Sequence, residues 1–261
     1  MPRVNLPSVQ LHYQFDGDAV APVVMLSNSL CSALDLWEPQ VPALLAAGFR
    51  VLRYDTRGHG ASSVPAGPYS LAQLAQDAIQ LLDALAIDQV HFCGLSLGGM
   101  IGQWLGTHYA ARLHSLVLCA TTAYSGPPAT WDERIAAVTT GGMAAVVEGT
   151  LNRWFTAASL QGLPLEVARI RAGILSTPVA GYAACGAAIR DMDQRESITT
   201  IPVPTQVMVG ADDPGTPVSA AEFIHQRIAG SRLVVIPDSQ HLFNIEQPAA
   251  FNAALTAFLA R

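Results

Sequence analysis

Apolar residues along this chain fall into two alternating patterns. Val23 to Leu26, Arg50 to Tyr54, Val90 to Cys93 and Leu113 to Ala120 are short runs without regular polar alternation, as expected of strands covered on both faces. Val9 to Phe15 alternates in part and reads as a further strand. Between these runs, apolar residues recur at helical spacing from Leu71 to Leu85, with Ser70 placed to cap the first turn. A second helix is expected after a turn at 94–98, running toward Tyr109. Strand and helix in this alternation predict an α/β fold: a mostly parallel sheet with right-handed crossovers and helices on both faces.

The rhythm stops after Thr122. From Ala123 to about Ile198 the chain reads as several helices broken by Pro127, Pro128, the Gly141-Gly142 pair, Pro164 and Pro178, with no convincing strand. Alternation resumes at Thr205 to Gly210 and Leu233 to Ile236, and a last helix follows Pro248. The expected organisation is one core made of 1–122 and 199–261, with 123–198 inserted as a helical cap. A chain of 261 residues is long enough to bury such a core by itself.

Composition narrows the function classes. At 51% hydrophobic and 13% charged, the chain is not of the disordered type. A net charge of −6, with 14 basic residues scattered rather than clustered, gives no footprint for nucleic acid or an anionic membrane surface. No apolar run approaches the roughly 20 residues that cross a bilayer. The first residues lack the apolar stretch of a signal peptide, so a cytoplasmic location is expected. Cys31, Cys93, Cys119 and Cys185 form no C-x-x-C pair, and Cys93 and Cys119 lie inside apolar runs; reduced structural thiols are expected, not a zinc site. A homo-oligomer is neither required nor excluded.

The sharpest local signal is Gly94-Leu95-Ser96-Leu97-Gly98-Gly99, between an apolar strand and a helix. A G-x-S-x-G sequence in that setting puts serine on a tight strand-to-helix turn, its hydroxyl exposed above the sheet. A hydroxyl needs a base, and the base needs an orienting group. Of seven histidines, His241 follows the late strand 233–236 and comes last in the chain, in the order serine, acid, histidine that this kind of site uses. His12 and His91 fall in strands, while His108, His114 and His225 fall on or beside helices. His59, in a loop after a strand, is the one serious competitor. The acid should follow a late strand, and Asp212 and Asp213 both do so. Backbone N–H groups for a developing oxyanion are expected from Leu97 and from the loop after Val23 to Leu26, at Leu30 with Ser29 close behind.

Over essentially its whole length the chain resembles the α/β-hydrolase superfamily. The resemblance is carried by the turn around Ser96, by Asp55-Thr56-Arg57-Gly58-His59-Gly60, by Gly210-x-x-Asp213-x-x-x-Pro217, and by His241-Leu242 with Glu246-Gln247-Pro248. The family spacing puts the acid on Asp213. More narrowly, Leu26-Ser27-Asn28-Ser29-Leu30, the Gly94-to-Gly102 stretch and Arg153-Trp154-Phe155 resemble the 3-oxoadipate enol-lactonases of aromatic catabolism. Cys31 departs from them, standing where glycine is expected. The resemblance implies hydrolysis of a small carboxylated lactone through a Ser96-His241-Asp213 triad, without cofactor or metal. Arg134, Arg153 and Arg190, with Trp131 and Trp154 as walls or N–H donors, are the cap residues from which the substrate's carboxylate would be held.

Overall fold

A computed structural model of the chain describes residues 2–260. The elements in chain order are β1 (Arg3–Asn5), β2 (Gln10–Asp16), β3 (Val23–Ser27), α1 (Val41–Ala46), β4 (Arg50–Tyr54), α2 (Leu71–Ala84), β5 (Val90–Leu95), α3 (Leu97–His108) and β6 (Leu113–Cys119). Five helices follow without a strand: α4 (Pro128–Gly141), α5 (Val147–Trp154), α6 (Ala157–Gly162), α7 (Pro164–Ser176) and α8 (Val179–Arg190). Then come β7 (Thr205–Gly210), α9 (Val218–Arg227), β8 (Arg232–Ile236), α10 (Phe243–Glu246) and α11 (Pro248–Leu259). His114, expected on or beside a helix, lies instead in β6, one residue into the strand after a short 3-10 turn.

One eight-stranded sheet runs in the order β1-β2-β4-β3-β5-β6-β7-β8. The two leading strands pair antiparallel; from β4 to β8 every pairing is parallel. Parallel strands need helices on both faces, so their side chains face apolar layers on either side. Every residue of β3 and β7 is buried accordingly. Helix α2 shows the complementary pattern, burying Leu71, Leu74, Ala75, Ala78, Leu81 and Leu82 on one stripe. Its first turn is closed by the Ser70 side chain, which accepts from the Gln73 N–H at 3.2 Å.

From β3 the chain steps to β4 on one side of the sheet and then returns to β5 on the other. That reversal opens a crevice at the carboxyl ends of β3 and β5, the place where open α/β sheets bind ligands. Among the described residues no single helix is long and apolar enough to cross a membrane.

Candidate active site

Residues that follow the carboxyl ends of five strands gather around one cavity of about 420 Å³. Ser29, Leu30 and Cys31 come from the loop after β3, Ser96 follows β5, Thr122 follows β6, Asp213 and Thr216 follow β7, and His241 follows β8. The helices between β6 and β7 close the far side with Trp131, Arg134, Arg153 and Trp154.

Ser96 sits at φ 57° and ψ −111°, a conformation that costs an ordinary residue of order 1–3 kcal/mol and is held only when the surroundings dictate it. They do. The Ser96 N–H donates to Cys119 O at 2.8 Å, its carbonyl accepts from the Thr121 hydroxyl at 2.9 Å, and the Gly98 N–H donates to Asn28 O at 3.0 Å. Gly94 and Gly98 make the turn sterically feasible. A Cβ on Gly94 would run into the Gly98 carbonyl, and one on Gly98 into the Ser27 carbonyl, so the glycines at both ends of G-x-S-x-G are set by backbone contact.

His241 and Asp213 meet across the ends of β8 and β7, with Nδ1 to Oδ2 at 2.8 Å. Asp213 is almost fully buried and its other contacts are local: the Thr216 hydroxyl donates to Oδ2 at 2.6 Å, and the Gly215 and Thr216 N–H groups donate to Oδ1 at 2.8 and 3.1 Å. Burial pushes the carboxyl upward, but the charge and hydrogen bond of His241, with the donors of Thr216, outweigh it and hold Asp213 below the ordinary value. Asp212 is exposed and lies outside this cavity. His59 is also outside it, buried against Arg57 O and the Cys185 sulfur, and burial draws its pKa down.

The loop after β3 is tied to the sheet by Asn28, whose amide donates to Tyr54 O at 2.7 Å, and by the Ser27 and Tyr54 hydroxyls, 2.9 Å apart. Leu34 N–H donates to Asp55 Oδ1 at 2.8 Å, which fixes the loop's far end. Leu30 lines the cavity, and its N–H meets no acceptor among the described residues. Leu97 is fully buried; its N–H is the first of α3 and has no partner inside the helix. Cys31 keeps its place next to Leu30 in a left-handed conformation, φ 65°, and burial raises its thiol to about 12 while Arg134 and Arg153 pull the other way.

Trp131, Arg134, Arg153 and Trp154 line the cavity, with the Arg134 guanidinium 4.5 Å from the Trp131 ring centre. Neither Arg134 nor Arg153 has a carboxylate in ion-pairing distance among the described residues. Burial, and then the charge of Arg134, weaken the hold of Arg153 on its proton. Arg190 must be corrected. It closes α8 beside Asp191 and pairs at 2.7 Å with Asp191 and at 2.9 Å with Asp132, on the outside and away from the cavity.

Four contributors, Thr216 among them, carried no assignment in the sequence. Thr216 could have been found from its place three residues after an aspartate in a Pro-Gly-Thr turn, the geometry in which a side-chain carboxylate collects the following N–H groups. Tyr124, Ser125 and Ile189 also stand in the wall but carry no sequence signal that separates them from ordinary packing.

Comparison with known proteins gives the arrangement a lineage. Residues 22–248 match the α/β-hydrolase fold family. A 3-oxoadipate enol-lactonase of Acinetobacter baylyi is 38% identical over 253 residues, covering 97% of this chain and 94% of that protein. The crystal structure of the enol-lactonase from Burkholderia xenovorans LB400 superposes with a TM-score of 0.97 at 40% identity, covering all of both chains. A protein of Variovorax paradoxus described as a carbamate hydrolase, RutD, is 34% identical over 259 residues, covering 96% of each chain. With its sheet order, its strained serine turn and these relatives, the chain belongs to the α/β-hydrolase family and is an ester hydrolase similar to the 3-oxoadipate enol-lactonases.

Proposed function

We propose that the protein opens 3-oxoadipate enol-lactone to 3-oxoadipate, a step in the breakdown of aromatic compounds through protocatechuate or catechol. The observation that carries this reading is the polarity of the cavity. Ser96 and His241 stand on its sheet side, and two arginines without acidic partners among the described residues stand on the helical side, which we read as a cap over 123–198. A substrate with a reactive carbonyl and a free carboxylate matches both.

Ser96 Oγ attacks the lactone carbonyl while His241 takes its proton, and Asp213 holds the imidazole in the tautomer that can accept it. The N–H groups of Leu30 and Leu97 receive the developing oxyanion. When the tetrahedral intermediate collapses, the ring oxygen leaves as an enol that stays tethered to the acyl group. His241 returns the proton, and the enol ketonises to the 3-oxo acid. A water activated by His241 then releases the product from Ser96. Arg134 and Arg153 hold the substrate carboxylate, and Trp131, Trp154 and Ser29 bound the space around the ring.

A carbamate hydrolase is the second reading, favoured by the 34% identity to the Variovorax protein. Incubation of the purified protein with the lactone and, separately, with a carbamate, followed by proton NMR, separates the two. Formation of 3-oxoadipate by the wild type and its loss in Ser96→Ala support the first; carbamate cleavage with an inert lactone supports the second.

A further inference from the structure

The segment that carries one of the cavity's two tryptophans and one of its arginines is bonded to the segment that carries the base, and one buried carboxylate joins them. Glu246, 8% exposed, splits its two oxygens between the two: Oε1 accepts from the Thr156 N–H at 2.8 Å, and Oε2 from the Gln240 N–H at 2.6 Å. On the other side of His241, the Leu242 N–H donates to Trp154 O at 3.0 Å. The Gln240 side-chain nitrogen, in the orientation its surroundings select, donates to Phe155 O at 2.8 Å and to Asn152 O and Arg153 O at 3.2 Å each. Both chain neighbours of the imidazole are thus fastened to residues 152–156. Within that stretch Trp154 stacks on His241, and Arg153 lines the cavity.

We infer that Glu246 is a positioning residue that fixes His241 and the Arg153-Trp154 end of α5 as one unit, and so sets the span between the base and the anion-binding end of the cavity. For its second half this rests on the proposed function. The choice of glutamate follows from the donors. Two N–H groups from segments 84 residues apart in sequence converge on one side chain, and only a carboxylate offers an acceptor to each. It has no cationic partner among the described residues, so the cost of burying its charge is offset by these bonds alone. Glutamine has the same shape but turns an NH₂ group against one of the two donors.

The test compares full-length wild type, Glu246→Gln and Gln240→Ala on the enol-lactone and on uncharged 4-nitrophenyl acetate, with active sites counted by a fluorophosphonate label. In Glu246→Gln, kcat per active site on the ester is expected to fall roughly tenfold as the base loses its alignment. The KM for the lactone is expected to rise about fivefold beyond any change in the ester's KM, as uniform binding is lost. Gln240→Ala moves both in the same direction by less, and carries the test if Glu246→Gln does not fold. Rates that fall only with the number of labelled sites, at unchanged KM, overturn the inference, as do wild-type values in both variants. Failure of the substrate reading appears separately, as a wild type without preference for the lactone; kcat per active site on the ester then decides the clamp alone.

Discussion

The indole of Trp154 lies nearly parallel to the imidazole of His241, with ring centres 6.0 Å apart and planes at 21°. Stacking of this kind limits how far the imidazole can swing while leaving the edge that faces the cavity free to exchange a proton. Trp154→Ala is expected to lower kcat by about tenfold through lost alignment and to cost roughly 3–5 kcal/mol of stability, as expected for an aromatic side chain deleted from a buried site. Trp154→Phe, which keeps a ring over the imidazole, should retain most of both. Steady-state kinetics and urea unfolding read the two effects separately, and equal kcat in all three proteins would remove the stacking from the mechanism.

Asp213 and Asp212 differ by one position and by everything around them. Asp213→Asn is expected to lower kcat on the order of 10⁴-fold, because the amide favours the wrong imidazole tautomer. Asp212→Asn, at an exposed carboxylate outside the cavity, should stay within about twofold. The reverse order of effects would reassign the acid.

The same carboxyl gives a pH dependence with a definite sign. Its folded pKa is depressed, so its contribution to stability is present above the unfolded value, about 3.9, and is lost as pH falls through the lower folded value. The urea midpoint of the wild type should therefore fall as the pH is lowered below about 4. Asp213→Asn should show a shallower fall over the same range. Parallel curves for the two proteins would mean that other groups govern the acid side.

Arg134→Gln and Arg153→Gln are each expected to raise KM for the carboxylated lactone by about tenfold or more, the scale of a lost hydrogen bond to a charged group. Both should leave the KM of an uncharged ester nearly unchanged. Arg190→Gln, whose guanidinium is taken up by Asp132 and Asp191 outside the cavity, is expected to alter neither. A rise in KM for Arg190→Gln alone would relocate the anion site.

Much of this was legible in the sequence where one physical constraint acts alone. Val23 to Leu26 and Thr205 to Gly210 read as strands because a strand covered on both faces has no room for polar alternation. The serine turn was legible because its glycines answer to backbone contacts that admit no side chain. β1 was not, because a three-residue edge strand with Arg3 and Asn5 exposed carries no pattern. α9 was expected only as a helix on or beside His225, without bounds; it buries only Ala221 and Ile224, too few to mark a stripe. The helical insertion was legible as helices and opaque as a wall. Arg153 and Arg190 both close helices, and only the acids folded beside Arg190 turn it away from the cavity. Glu246 showed as part of a motif, but its two partners, six and ninety residues away, exist only in the fold.

The most direct measurement is kcat/KM of the purified protein for 3-oxoadipate enol-lactone against an uncharged ester of similar size, with Ser96→Ala alongside. A preference for the lactone of at least about a hundredfold, on the scale that a charge-paired site gives over an analogue lacking the group, together with no turnover by Ser96→Ala, is the expected result. Equal kcat/KM for the two substrates would contradict the lactonase reading, and near-wild-type turnover by Ser96→Ala would contradict the nucleophile.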